Sequence, residues 1–181
     1  LGPSGSGKST LLGVLGGLVR PDGGTVRVDL GTEGADGATV ALRDVTAWVL
    51  QTMNVLPERS ALDNVVVAAL TQHGDRHRAR EEAERRLECV GLADRAHDAA
   101  RVLSGGELQR VVIARALASG RPFVLADEPT GQLDHSTSAI VLEALLRSSG
   151  DAGVVIVTHD SEVAARCEVT FRIEDGRVLP A

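Results

Sequence analysis

The sequence predicts a three-layer α/β fold on a mostly parallel sheet, from three observations. Short runs rich in β-branched residues, bounded by turn residues, fall at 25–30 (Thr-Val-Arg-Val-Asp-Leu), 123–126 (Phe-Val-Leu-Ala) and 154–157 (Val-Val-Ile-Val), the pattern of strands buried on both faces. Segments of helical periodicity lie between and around them. A glycine-rich loop stands directly before one helix, and a pair of carboxylates directly after one strand. Alternating buried strands and helices produce a sheet covered on both faces, whose ligands sit at the carboxyl ends of the strands.

Taken in order, the first helix covers residues 8–19, directly behind the loop. The 25–30 run is expected to pair in a small antiparallel element near residues 24–30, and the Gly- and Asp-rich stretch 31–37 reads as a surface loop. Helical spacing returns over 60–72 and again over 76–90, where Glu81, Glu82 and Glu84 precede Arg85 and Arg86, the charge pattern of a solvated helix. An apolar stretch, 111–117, follows Ser104-Gly-Gly-Glu107 and precedes the strand at 123–126.

Composition bounds the function. At 181 residues and 43% hydrophobic, the chain can bury one sizeable core, so residues 1–181 are expected to form a single domain. The 25 acidic against 19 basic side chains give a net charge of -6, which opposes a phosphate backbone. Phe123, Phe171 and Trp48 are too few and too scattered to make a base-stacking platform, so no nucleic-acid partner is expected. Cys89 and Cys167 lack metal-ligand spacing and form no disulfide framework, in keeping with a reducing cytosol. No apolar run approaches the ~20 residues that span a bilayer.

Gly2-Pro3-Ser4-Gly5-Ser6-Gly7-Lys8-Ser9-Thr10 fits G-x-x-x-x-G-K-[ST] with a helix at its end. Glycines let successive N–H groups face an anion, the helix dipole adds favourable potential, Lys8 can reach terminal phosphates, and the Ser9 hydroxyl can ligate Mg²⁺. Asp127 and Glu128 end the 123–126 strand. Asp127 is suited to hold Mg²⁺, and Glu128, pointed differently by strand alternation, to accept a proton from attacking water; alone, the pair is equally a strand end or the N-cap of a turn. Ser104 and Glu107 form an S-x-x-E capping box, while Gly105 and Gly106 bare the first-turn N–H groups as a second anion site. One nucleotide hardly needs both helix termini from one molecule.

The segment Leu103-Ser104-Gly105-Gly106-Glu107-Leu108-Gln109 resembles the signature motif of ATP-binding-cassette ATPases, and the resemblance runs from residue 2 to about 178. It implies a P-loop NTPase three-layer sandwich with a helical signature-motif subdomain at about 55–115, and a head-to-tail pair, as a homodimer or with a related subunit, in which Lys8 of one copy and Ser104 of the other clamp one ATP. By the same resemblance Gln51 is the Q-loop glutamine that senses Mg²⁺ and the membrane partner. Asp134, in Gly131-Gln-Leu-Asp134, couples the two sites, and His159 is the switch histidine that contacts the γ-phosphate. Lys8, Glu128 and His159 are thus the expected catalytic set, ATP and Mg²⁺ the expected cofactors. Segments 50–57, 125–131 and 174–178 look most like the lipoprotein-release and macrolide-export branch. The implied function is an ATP-hydrolysing subunit that drives separate permease subunits from the cytoplasmic face of the plasma membrane; a soluble cassette or an inactive fragment is the alternative.

Gly2 follows Leu1 at once, whereas the resemblance expects a strand and an adenine-stacking aromatic residue ahead of Leu1. The chain is therefore expected to begin inside the domain without its N-terminal strands, and alone to be poorly soluble or to unfold non-cooperatively on heating, with little ATPase activity.

Overall fold

The structure, a computed structural model, describes residues 1–3, 5–30, 41–174 and 176–181. Helix α1 (Lys8–Leu15) starts directly on the glycine-rich loop and ends at Leu15, four residues earlier than periodicity predicts, with Gly16 as its C-cap and Gly17 in the left-handed region. A short turn of helix, α2 (Leu42–Val45), leads into β1 (Thr46–Val49), which ends two residues before Gln51. β2 (Phe123–Asp127) pairs in parallel with β1, and β3 (Gly153–Val157) in parallel with β2, giving the order β1-β2-β3.

Alternation along β1 and β2 sends neighbouring side chains to opposite faces. Ala47, Val49, Val124 and Ala126 enter one apolar cluster; Leu125 and Val157 meet Leu12 of α1 on the other face, with Trp48 against them. The larger cluster lies under α3 (Ala61–His73), α4 (Arg76–Cys89), α5 (Gly105–Ala118) and α6 (His135–Ser148). The sheet thus separates two helical layers, as the run pattern predicts, but β3 is not buried on both faces as expected: Val155 is exposed, and Val154 and Ile156 are half-buried.

Ser60, Asp75, Ser104 and Asp134 each cap their helices by accepting a first-turn backbone N–H. Helix α4 is not simply solvated: Ala79, Ala83 and Leu87 are fully buried, and Glu82 sinks beside them because Arg85 and Arg86 pair with it. These arginines hold the Glu82 carboxyl below its ordinary range against the opposing effect of its burial.

Two expectations fail. Residues 25–30 form no strand: Val26 and Val28 are half-buried, their neighbours face solvent, and no described strand lies alongside. The antiparallel element is at the other end of the chain, where β4 (Phe171–Glu174) pairs with β5 (Arg177–Pro180). Leu1 lies beside β4, its amine donating to the Phe171 carbonyl at 2.7 Å and its carbonyl accepting from Ile173 N–H at 2.7 Å. An apolar cleft of about 410 Å³, with Leu12, Val155, Phe171 and Ile173 among its walls, lies between α1, β3 and β4. The predicted loop at 31–37 and Ser4 of the glycine-rich loop fall outside the described residues.

Candidate functional site

The glycine-rich loop turns because Gly5 and Gly7 occupy the left-handed region, at φ 80° and 94°, where side chains are disfavoured. Lys8, only 7% exposed, folds its side chain back along this turn. Its Nζ donates to the carbonyls of Gly2 and Pro3, both at 2.8 Å, so its charge sits within the ring of the loop. One residue on, the Ser9 hydroxyl donates to Asp127 Oδ1 at 3.1 Å. Helix α1 and β2 therefore bring together two oxygen ligands separated by 118 residues.

Glu128 stands at the end of β2 in a left-handed conformation, φ 46°, unusual for a residue with a Cβ. Its direction is thus set by a backbone turn and not by strand alternation, the reason given from sequence. The turn is anchored by the Glu128 N–H, which donates to the Val157 carbonyl at 2.9 Å and extends the β2–β3 ladder by one rung. Glu128 Oε1 then lies 2.9 Å from Nδ1 of His159, two residues beyond β3. Such strain, about 1–3 kcal/mol, persists where surrounding contacts fix it, and often at functional sites.

Apart from Asp127, which reaches it through Ser9, these groups face one open cleft of about 630 Å³, lined by Pro3, Gly5, Gly7, Lys8, Ser9, Thr10, Gln51, Glu128 and His159. Gln51 reaches it from the end of β1. The glycine-rich loop and the start of α1, set beside the carboxyl ends of three parallel strands, thus supply a cradle of backbone donors, one ammonium, a Ser–Asp oxygen pair and a carboxylate–imidazole pair. That set can bind a polyphosphate, accept an oxygen-loving cation and orient a water.

Ser104, Gly105, Gly106, Glu107 and Asp134 do not line the cleft. The capping box is present: Ser104 N–H donates to Glu107 Oε2 at 2.8 Å and Glu107 N–H to Ser104 Oγ at 3.3 Å. Those contacts hold the Glu107 carboxyl below its ordinary range, the Ser104 N–H foremost. Gly105 is open, but a Cβ on Gly106 would fall 2.2 Å from Thr137 Cγ2 of α6, so close packing is a reason for this glycine that anion access alone does not give. Asp134 caps α6, accepting from Ser136 Oγ and Thr137 Oγ1 at 2.6 Å and Thr137 N–H at 3.0 Å; the Ser136 contact foremost, these drive its carboxyl far below the ordinary range.

Sequence reading missed Arg115 of α5, which donates from Nη1 to the Asn54 carbonyl at 2.6 Å and from Nη2 to the Asn54 side chain. It pins the segment after Gln51 to the helix that Ser104 begins. No local pattern signals a contact across 61 residues.

Residues 1–131 match the protein family described as ABC transporter. The chain belongs to the ABC transporter family. Within that family it is an ATPase subunit with the ATP-binding-cassette fold. The lipoprotein-releasing system ATP-binding protein LolD of Bordetella pertussis is 47% identical over 186 residues, an alignment covering 99% of this chain and 80% of LolD. The macrolide export ATP-binding/permease protein MacB of Rhodopseudomonas palustris is 41% identical over 184 residues, covering 99% of this chain and 28% of MacB. A solved dimeric cassette in a post-hydrolysis state, bound to ADP and Pi, aligns at a TM-score of 0.77 and 36% identity, over 98% of this chain and 80% of that one. No helix among the described residues is long and apolar enough to cross a membrane.

Proposed function

We propose that this ATPase works as a head-to-tail pair whose hydrolysis drives membrane permease subunits, with Glu128 as the general base. The observation that carries the reading is the Glu128–His159 pair at 2.9 Å, on the cleft that Lys8 and Ser9 also line. Phosphoryl transfer requires charge neutralisation and an oriented nucleophile more than covalent chemistry. Lys8 and the loop N–H groups meet the β- and γ-phosphates. Glu128 takes the proton of the attacking water, while His159 holds that carboxylate in place and contacts the γ-phosphate.

Mg²⁺ fits the Ser9–Asp127 oxygen pair, since this ion is commonly bound through one or two protein oxygens together with substrate phosphates and water. Ser9 and Asp127 would hold it, with Gln51 at the cleft edge, and it would supply charge neutralisation of the phosphate oxygens.

The bared first turn of α5 lies outside the cleft, so a second copy completes each site: Ser104, Gly105 and Gly106 of one subunit close over ATP held by Lys8 of the other, and Asp134 links the two sites. Residues 1–181 belong to one cassette domain, of which they are a part, whose helical portion, about 55–115, meets the permease at the cytoplasmic face of the membrane. The names LolD and MacB support an export or release system.

The assembly is tested on the complete protein by light scattering. With ATP and Mg²⁺, the Glu128→Gln variant is expected to double in mass, and the same variant carrying Ser104→Arg to stay monomeric while still binding ATP. No change of mass in the first, or a dimer in the second, contradicts the head-to-tail arrangement.

A further inference from the structure

Two imidazole–carboxylate pairs join the same two segments of chain, in opposite order. The first segment, 128–135, runs from the end of β2 to the first residue of α6; the second, 159–162, runs from the end of β3 into the one-turn helix α7 (Ser161–Ala164). At the cleft end, Glu128 of the first segment meets His159 of the second, Oε1 to Nδ1, at 2.9 Å. At the far end, His135 of the first segment meets Glu162 of the second, Nε2 to Oε2, at 2.7 Å. A cavity of about 310 Å³ lies between them, and all four side chains line it.

We propose that His135 and Glu162 are positioning residues, a strut that sets the separation of the two segments and so the Glu128–His159 geometry; the proposal rests on the catalytic reading above. Each segment is tied mainly to itself. In the first, Gly131 N–H donates to the Glu128 carbonyl and Leu133 N–H to that of Thr130, both at 3.1 Å. In the second, Asp160 N–H donates to Thr158 Oγ1 at 3.0 Å and Glu162 N–H to Asp160 Oδ1 at 2.8 Å. Such turns fix local shape but not the distance between segments. Across the gap run the Glu128 N–H to Val157 rung, the two imidazole–carboxylate pairs, and, further along α6, an ion pair of Arg166 with Glu143 at 3.8 Å. Removing the far strut leaves the catalytic pair as the main link between the segments, free to open when nucleotide competes for His159.

His135 can donate from Nε2 in either charge state, so the contact survives loss of the imidazole charge. Its side chain is 81% and that of Glu162 70% exposed, so water screens the pair and the leverage is geometric more than energetic. The effect on turnover is accordingly about two- to fivefold, far below that of losing the general base.

The test measures kcat, KM for ATP and thermal midpoint on the complete protein for wild type, Glu128→Gln, His135→Ala, Glu162→Ala, the double alanine variant and the exchanged pair His135→Glu with Glu162→His. Each single alanine variant is expected to lower kcat about two- to fivefold with KM within about twofold and the midpoint within about 2 °C. The double variant is no slower than the slower single, because both remove one contact, and the exchanged pair regains at least half of the loss. Wild-type kcat in the single variants, losses that multiply in the double, or a fall in kcat that only follows the thermal midpoint overturns the strut. Hydrolysis undiminished in Glu128→Gln, or absent in wild type, overturns the catalytic reading as well.

Discussion

The Cγ2 methyl of Thr137 occupies the space that a Cβ on Gly106 would need, 2.2 Å away. The methyl cannot swing aside freely, because the Thr137 hydroxyl is held by Asp134 Oδ2 at 2.6 Å. Overpacking a buried contact costs about 1–3 kcal/mol, against a gain of at most about 1 kcal/mol for replacing a helical glycine by alanine. Gly106→Ala is therefore expected to lower the thermal midpoint by a few degrees, roughly 2–4 °C per kcal/mol. Gly105→Ala, whose nearest contacts of 3.8 and 3.9 Å are ordinary, leaves the midpoint unchanged or raised. Adding Thr137→Ser, which deletes the methyl and keeps the hydroxyl, restores the loss. Equal midpoints for the two alanine variants contradict the packing argument.

Asp134 gives a pH-dependent prediction. Its carboxyl is held far below the ordinary value by Ser136 first, then Thr137. A depressed folded-state pKa contributes stability that is fully present above the unfolded value of about 3.9 and is lost as pH falls through the folded value. The stability of wild type over Asp134→Asn is thus greatest at neutral pH and shrinks on acidification below about pH 4. Urea midpoints between pH 7 and 3 measure it; a gap that widens with acid contradicts the assignment.

Lys8 and Ser9 adjoin in sequence, yet the proposal gives them separable jobs. Lys8→Met removes an ammonium from the loop, so ATP binding is expected to weaken at least about tenfold with or without Mg²⁺. Ser9→Ala removes an oxygen ligand beside Asp127, so binding matches wild type in chelator and weakens only when Mg²⁺ is added. Fluorescent-nucleotide titrations in both conditions decide; a Ser9→Ala defect that persists in chelator rules out the metal role.

What the sequence discloses and what it hides divide along the range of the interactions. The start of α5 was legible because its cap is local, the Ser104–Glu107 box being four residues long, and α3 and α4 were legible from helical spacing, their caps Ser60 and Asp75 emerging only in the structure. The strand at 123 was legible because both faces are covered, leaving a continuous apolar run, and the one at 154 because its run is as apolar, although Val155 is exposed and that strand is covered on one face more than on the other. The 25–30 run shows the limit of that signal, since β-branched residues describe a strand only where a neighbour is present to pair. β4 and β5, mostly exposed, carry no such run. At the site, the residue types and their order were readable, but the left-handed turn at Glu128, the bond from Ser9 to Asp127, the hold of Arg115 on Asn54 and the His135–Glu162 pair join residues up to 118 apart. Nothing local encodes those distances.

The turnover of Glu128→Gln in the complete protein tests the central claim most directly. Glutamine keeps the size and can still hydrogen-bond to His159, but it cannot take a proton from water. With Lys8 and the loop untouched, ATP affinity is expected to stay within about twofold of wild type while kcat falls by ~10² or more. A variant that binds ATP and hydrolyses it at a near wild-type rate would contradict the assignment of Glu128 as the general base.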